Sequence, residues 1–482
     1  MLQELTQALR TRKVSAAELV AQAIERIETL DTALNAVVVR NFAGAREAAK
    51  AADAALARGE QQPLLGIPIT IKEAFNLAGL PTTWGIPQFK DFVPREDAVA
   101  VARLKRAGAI IVGKTNVPFQ LADIQSYNEV YGTTNNPWDV GRTPGGSSGG
   151  SAAALAAGFT PLSLGSDLGG SLRIPAHFCG VFAHKPSLGL VPERGHTPPG
   201  VTPIVRDPDL VVIGPMARTA RDLALALDVL AGPDEARAGI GYRLALRPPR
   251  HDDLKSFRVL VLETHPLMPT GALVRTALVA LSEWLARSGV RLSHSSPLLP
   301  DLAASARTFM RLWSAFRGAF APASLYEDMR RVAQALAAND DRLLAERARG
   351  AVMSYRDWVA ADAARARLRQ QWGQLFQEWD VVICPVMATA ATPHDHSQPI
   401  EARMLEIDGK VYPFRDTYLV WSELATSAGL PATTVPIAGA ERSLPVGVQI
   451  VGPYLEDRTT LCFAELMERE FGGFVAPPGY AA

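Results

Sequence analysis

The stretch Thr143-Pro144-Gly145-Gly146-Ser147-Ser148-Gly149-Gly150-Ser151 runs straight into a segment, Ser151–Ala157, that is apolar on every side. A helix apolar all round is a buried helix, and a flexible Gly/Ser connector rarely leads directly into one. The loop therefore reads as a built element that delivers serines to the start of a core helix. Two chemistries suit it locally. A helix N-terminus can hold an anion, but no Lys follows the glycines as a phosphate-binding loop requires. Gly145-Gly146-Ser147-Ser148-Gly149 also satisfies G-x-S-x-G, the nucleophile elbow, for which His394 or His396 could be nominated as base.

Outward from this loop, helix and strand signals alternate. Ser15 and Glu18 form an S-x-x-E capping box that opens the first clear helix, with Leu19, Val20, Ala23, Ile24, Ile27 and Leu30 on one face. An Ala-rich helix is predicted from Phe42 to Arg58, and a short buried strand over Gly66–Lys72, where Pro68 indicates an edge or a strand start. Further helices are predicted over Asp97–Ala107, Thr219–Leu230, Ala272–Ser288, most of 301–373, and Arg458–Glu470. Strands are predicted over Ala109–Gly113, Phe257–Leu262, Val381–Cys384 and Val446–Val451. Such alternation argues for α/β, with a sheet buried between helices. The Arg- and Pro-rich segment near 233–256 reads as an exposed connection.

A second glycine-serine element follows the first: Leu164-Gly165-Ser166-Asp167-Leu168-Gly169-Gly170-Ser171-Leu172-Arg173-Ile174-Pro175. Adjacent glycines let consecutive backbone N–H groups point into one small space. An oxyanion hole needs that arrangement, although a tight turn with Ser171 as a helix cap needs it too. A serine hydroxyl becomes a nucleophile only when a base takes its proton. None of the eight histidines has triad context; His177 and His184 flank an apolar segment and read as core or rim residues. Lys72, at the end of a buried strand, is the other candidate base, since desolvation lowers a lysine's proton affinity.

Composition narrows the function classes. The 482 residues carry 49 Lys+Arg and 49 Asp+Glu, scattered, for a formal net charge of +0, so no nucleic-acid footprint is expected. No apolar run approaches the ~18 residues of a membrane span, and the start of the chain does not read as a signal peptide. Three widely spaced cysteines, Cys179, Cys384 and Cys462, argue against a disulfide framework and for a cytoplasmic setting. His394-Asp395-His396 is an H-x-H step without a third histidine, and it reads as a polar loop rather than a metal site.

Taken together, Pro63–Thr83, Lys114-Thr115-Asn116, Pro137-Trp138, Arg142–Ser151, Gly165–Pro175, Cys179-Gly180 and Lys185-Pro186 resemble the amidase signature. Gly429-Leu430-Pro431-Ala432 and Leu444–Gly452 resemble that family's C-terminal part. The likeness spans Ser15 to about Glu470 and thins at about 233–378. It implies an α/β fold in one domain, 1–482, with a mixed, twisted central β-sheet covered by helices on both faces. It also implies a Ser–cisSer–Lys triad: Ser171 as nucleophile, Ser147 as the relay preceded by a cis peptide, Lys72 as base. The amides of Leu168, Gly169, Gly170 and Ser171 would form the oxyanion hole, and Ser148, Asp167 and Arg173 would support the reacting groups. Phe119, Gln120, Leu121 and Ile124 are expected to line the substrate pocket, with the helices of 301–373 as its roof. Trp84, Trp313 and Phe316 read as core packing first and as pocket residues second.

The implied activity is hydrolysis of small or aryl amides through an acyl-enzyme, with esters and carbamates as side substrates and no cofactor or metal. The expected partner is a small-molecule amide, with no nucleic acid and no membrane; a homodimer is left open. The family also includes the amidase subunit of tRNA-dependent amidotransferases, whose triad is the same. Two departures stand out. Glu73 follows the lysine where the family commonly has Asp, and Phe182-Ala183-His184 replaces a smaller apolar run.

Overall fold

One sheet draws its strands from residue 37 to residue 451. The structure is a computed structural model and describes residues 1–481 apart from 202–208, 237, 439–443 and the side chain of Asp416. The sheet has eleven strands. Their order is Val37–Arg40, Ile110–Thr115, Pro68–Lys72, Leu162–Asp167, Val212–Ala217, Phe182–Lys185, Ala432–Ala438, Val446–Val451, Val381–Pro385, Arg258–Val261 and Arg291–Ser293. It is mixed: Pro68–Lys72 runs parallel to both neighbours, whereas Leu162–Asp167 is antiparallel to Val212–Ala217. Pro68 is thus a strand start in the sheet interior, not an edge, because the first residue of a strand can forgo an N–H.

Both faces are covered, and the alternation of strand side chains shows how. Phe182 packs into the main core while its neighbour Ala183 joins a separate cluster on the opposite face. Val381 and Ile383 join the main core, and Val382 and Cys384 pack with Leu368, Trp372 and Leu375 of the Tyr355–Glu378 helix. The apolar helix next to the Gly/Ser loop, Gly149–Ala156, is buried at all eight positions. Ala153 and Ala154 face the main core, and Ala152, Leu155 and Ala156 face the cluster around Leu172 and Ala176. A helix wedged between two cores needs apolar residues all round.

Local signals set several boundaries. Ser15 Oγ accepts from the Glu18 amide at 3.1 Å while the Ser15 amide donates to Glu18 at 2.7 Å, so the capping box opens Ala16–Leu34. An earlier helix, Leu2–Arg10, escaped the sequence reading. It has no side-chain cap, and its start is fixed instead by the Leu2 amide donating to Asp222 Oδ1 at 3.0 Å, 220 residues away. The 301–373 region is helical as expected, in four pieces: Leu302–Gly318, Ala323–Gln334, Leu343–Ala351 and Tyr355–Glu378. Described residues of 233–256 are mostly exposed, Ile240 at 93%. No helix among the described residues is long and apolar enough to cross a membrane.

Candidate active site

Lys72 closes its strand with a side chain that is 0% exposed. Its Nζ donates to Ser147 Oγ at 2.7 Å and to Ser166 Oγ at 3.0 Å. Burial brings its pKa down from 10.5 to about 7, and the Asp167 carboxylate pulls it partly back up. At neutral pH a large share of Lys72 therefore carries a free lone pair. The serine it meets follows a cis peptide, Gly146–Ser147.

The two glycine-serine loops are stitched together by Ser148. Its amide donates to the Ser171 carbonyl at 3.1 Å, and its Oγ donates to the Ser166 carbonyl at 3.3 Å. Asp167 shapes the second loop. Its two oxygens accept from the Gly170 amide at 2.8 Å and the Leu172 amide at 3.1 Å, which folds the chain back on itself. Gly170 takes φ +103°, a backbone conformation that disfavours any side chain, and a Cβ there would lie 2.8 Å from Ile174 Cδ1.

Arg173 grips Asp167 through Nε at 3.0 Å and Nη2 at 2.9 Å. Burial alone would raise the Asp167 pKa, but the paired guanidinium holds it at about 2. The remaining donors of Arg173 reach the Ser422 carbonyl at 2.6 Å, Gln449 Oε1 at 2.7 Å and Thr426 Oγ1 at 2.8 Å. A fully buried ion pair is tolerated when every donor and acceptor is met in this way.

Ser147, Ser166 and Ser171 all line one cavity of about 910 Å³. Ser171 is partly buried, and its Oγ has no hydrogen-bond partner among the described residues. The amides of Leu168, Gly169 and Ser171 also find no acceptor among the described residues. Gly170 departs from the expected set of four, because Asp167 already takes its N–H.

Of the expected pocket residues, Gln120, Leu121 and Ile124 line the cavity. Phe119 does not, and it is 47% exposed. Gln120 and Leu121 take φ of 52° and 57°, and these consecutive left-handed residues break the simple progression that would have carried Phe119 inward. Trp84 and Trp313 are packed, at 8% and 5% exposure, and they line the cavity together with Phe316. Packing and pocket lining coincide in these aromatics. The roof comes from Leu302–Gly318 and Ala323–Gln334 only; among the described residues the two later helices contribute no lining.

Glu73 faces away from the lysine beside it. Its carboxylate accepts from the amides of Thr83 at 2.6 Å and Trp84 at 3.0 Å and lies 3.6 Å from Lys114 Nζ. Its extra methylene bears on that turn rather than on Lys72. His177 accepts from the Gly447 amide at 2.7 Å and meets the Thr389 carbonyl at 2.9 Å, a core histidine as expected. His184 bridges Thr433 and Asp457 at 2.9 and 3.1 Å, which gives the odd Phe182-Ala183-His184 run a structural role. Among the described residues no three His, Cys, Asp or Glu side chains converge as a metal site, and the three cysteines are free.

Sequence reasoning missed Ser166, the second acceptor for Lys72, although it stands inside the quoted loop. It also missed His196, whose ring packs 4.8 Å from Phe75 and 5.0 Å from Trp84 at the cavity wall. Burial, and then the nearby Lys72 charge, push the His196 pKa to about 3, so it is neutral. Arg317, another lining residue, was missed as well.

Comparison with known proteins finds relatives over nearly the whole length of the chain. The family model described as Amidase matches residues 18–461. A glutamyl-tRNA(Gln) amidotransferase subunit of Roseiflexus sp. (strain RS-1) is 32% identical, covering 97% of this chain and 96% of the relative. Fatty-acid amide hydrolase 2 of Homo sapiens is 30% identical, covering 98% and 89%. Among solved structures, a chain of the inhibitor-bound form of a vestigial protein complex that bears on the evolutionary origins of an s-triazine catabolic enzyme superimposes with a TM-score of 0.81 at 28% identity, covering 98% of each chain.

Proposed function

This chain belongs to the amidase family, hydrolases of carbon–nitrogen amide bonds, and we propose that it cleaves small or aryl amides through an acyl-enzyme on Ser171. The observation that carries this reading is the 2.7 Å contact between Lys72 Nζ and Ser147 Oγ inside the cavity that Ser171 lines. Neutral Lys72 accepts the Ser147 proton as Ser147 accepts that of Ser171. Ser171 Oγ attacks the amide carbonyl. The oxyanion draws on the amides of Leu168, Gly169 and Ser171, each such donor contributing about 2.7–4 kcal/mol to the transition state. The relay then returns a proton to the leaving amine, and water, activated by the same path, hydrolyses the ester.

Asp167 and Arg173 hold the turn that presents these amides, so their part is positioning. Esters and carbamates, with better leaving groups, are side substrates of the same acyl-enzyme. The chemistry needs no cofactor, and its setting is the cytoplasm. Hydrolysis of acyl p-nitroanilides by the wild type, and its loss in Ser171→Ala with an unchanged melting temperature, is the supporting result. Full turnover by Ser171→Ala would refute the assignment.

A second reading has its own support in the amidotransferase relative at 32% identity. In that reading the chain supplies ammonia within a larger assembly. Co-purification with two smaller protein partners, together with glutaminase activity that depends on them, favours it. Amide turnover by the isolated chain favours the first.

A further inference from the structure

Part of the cavity wall is formed by the Leu302–Gly318 helix, which contributes Trp313, Phe316 and Arg317. Two arginines line this cavity among the described residues. Arg194 is paired with Asp234 at 2.7 Å. Arg317 has no carboxylate and no hydrogen-bond acceptor among them, and its guanidinium lies over the Trp313 ring, 5.1 Å from the centroid. Arg317 is partly exposed, so the five N–H donors of its guanidinium are open to a ligand that enters the cavity.

The surroundings deepen the imbalance. Arg347 and Arg415 act on Arg317 as like charges, and Glu401 is the carboxylate opposing them. Glu401 is already engaged, by Arg347 at 2.5 Å and by Arg415 at 3.6 Å. Five carboxylates line the cavity, Glu96, Asp97, Asp123, Asp167 and Glu193; Asp97, Asp123 and Asp167 pair with Lys105 at 2.7 Å, Arg403 at 2.7 Å and Arg173 at 2.9 Å, and among the described residues none of the five forms an ion pair with Arg317. Of the Arg317, Arg347 and Arg415 guanidiniums, the one that lines the cavity, Arg317, has no carboxylate of its own among the described residues. A guanidinium without a carboxylate of its own attracts an anion at close range.

We propose that the substrate amide carries a carboxylate, which Arg317 binds at the wall of the cavity that holds Ser171. A planar guanidinium fork matches a carboxylate with two parallel hydrogen bonds. The Trp313 face holds the fork in place and packs against the chain that joins carboxylate to amide. This inference rests on the amidase reading above and names its substrate class.

The test compares matched pairs: glutaryl-p-nitroanilide against valeryl-p-nitroanilide, and N-acetyl-4-aminobenzoate against acetanilide, which places the acid on either side of the scissile bond. In at least one pair the wild type is expected to favour the acid by about tenfold or more in kcat/KM, the scale of one charge-assisted contact. Arg317→Gln should bring that ratio to within about threefold of unity, and Arg317→Lys should restore part of it. Calorimetry on Ser171→Ala, with the same compounds, reads binding without turnover. An acid preference in binding that Arg317→Gln abolishes, with no turnover by the wild type, would keep the carboxylate site and sink the hydrolase reading. No acid preference in either pair, or a preference that survives Arg317→Gln, would overturn the proposal.

Discussion

Lys72 and Asp167 close two neighbouring parallel strands at the same end of the sheet, and the charge of each bears on the other. Both are fully buried, yet their surroundings differ. Asp167 is gripped by Arg173 and stays ionised, whereas Lys72 meets only serine hydroxyls and loses proton affinity. The C-terminal ends of two interior strands thereby hold an ionised carboxylate and a lysine poised near neutrality, which is the charge arrangement a serine–lysine relay needs.

The first prediction concerns pH. Below about 7 Lys72 is an ammonium ion with no lone pair, and above it the amine is free. The value of kcat/KM should therefore fall as pH drops through about 7, tenfold per unit on the acid limb. Lys185 titrates in the same range but donates to the Pro186 carbonyl and touches neither serine. A profile flat from pH 5 to 8 would count against Lys72 as base.

Removing the lysine gives the second. Lys72→Met keeps the volume and removes a buried amine whose charging was already disfavoured. Activity should fall about 10²–10⁴-fold, the usual contribution of a general base, while the melting temperature stays within a few degrees. A large loss of stability with residual full activity in the folded fraction would assign Lys72 a structural role instead.

The third turns on Arg173. Arg173→Leu strands the buried Asp167 carboxylate and frees Ser422, Gln449 and Thr426 from their donor. Breaking a buried pair in this way costs about 3–5 kcal/mol, which urea titration will read. A loss below about 1 kcal/mol would mean that the fork does not hold the turn.

Glu73 supplies the fourth. Glu73→Asp shortens the reach to the Thr83 and Trp84 amides, so stability should fall by about 1–3 kcal/mol. The acid limb of the pH profile should stay near 7, because Glu73 has no contact with Lys72. A displaced limb would show that this residue tunes the base after all.

What the sequence made legible was local. The capping box at Ser15 and Glu18, the all-apolar helix after Ser151 and the strand ending at Lys72 each follow from neighbours a few residues away. The relation among Lys72, Ser147 and Ser171 came from a long motif resemblance, since no spacing rule joins residues 75 and 24 positions apart. What stayed hidden depends on distant partners or unusual backbone. The Gly170 amide is lost to Asp167 only because the turn folds back. Phe119 swings out where Gln120 and Leu121 take left-handed φ without a glycine to announce it. Arg317 becomes notable only when the structure reveals that no carboxylate meets it.

The most direct measurement is the intact mass of the protein after incubation with a fluorophosphonate, on the wild type and on Ser171→Ala. A single adduct on the wild type, mapping to the peptide that contains Ser171 and absent from the variant, is the expected result. An adduct that persists in Ser171→Ala, or that maps to Ser147, would contradict Ser171 as the nucleophile.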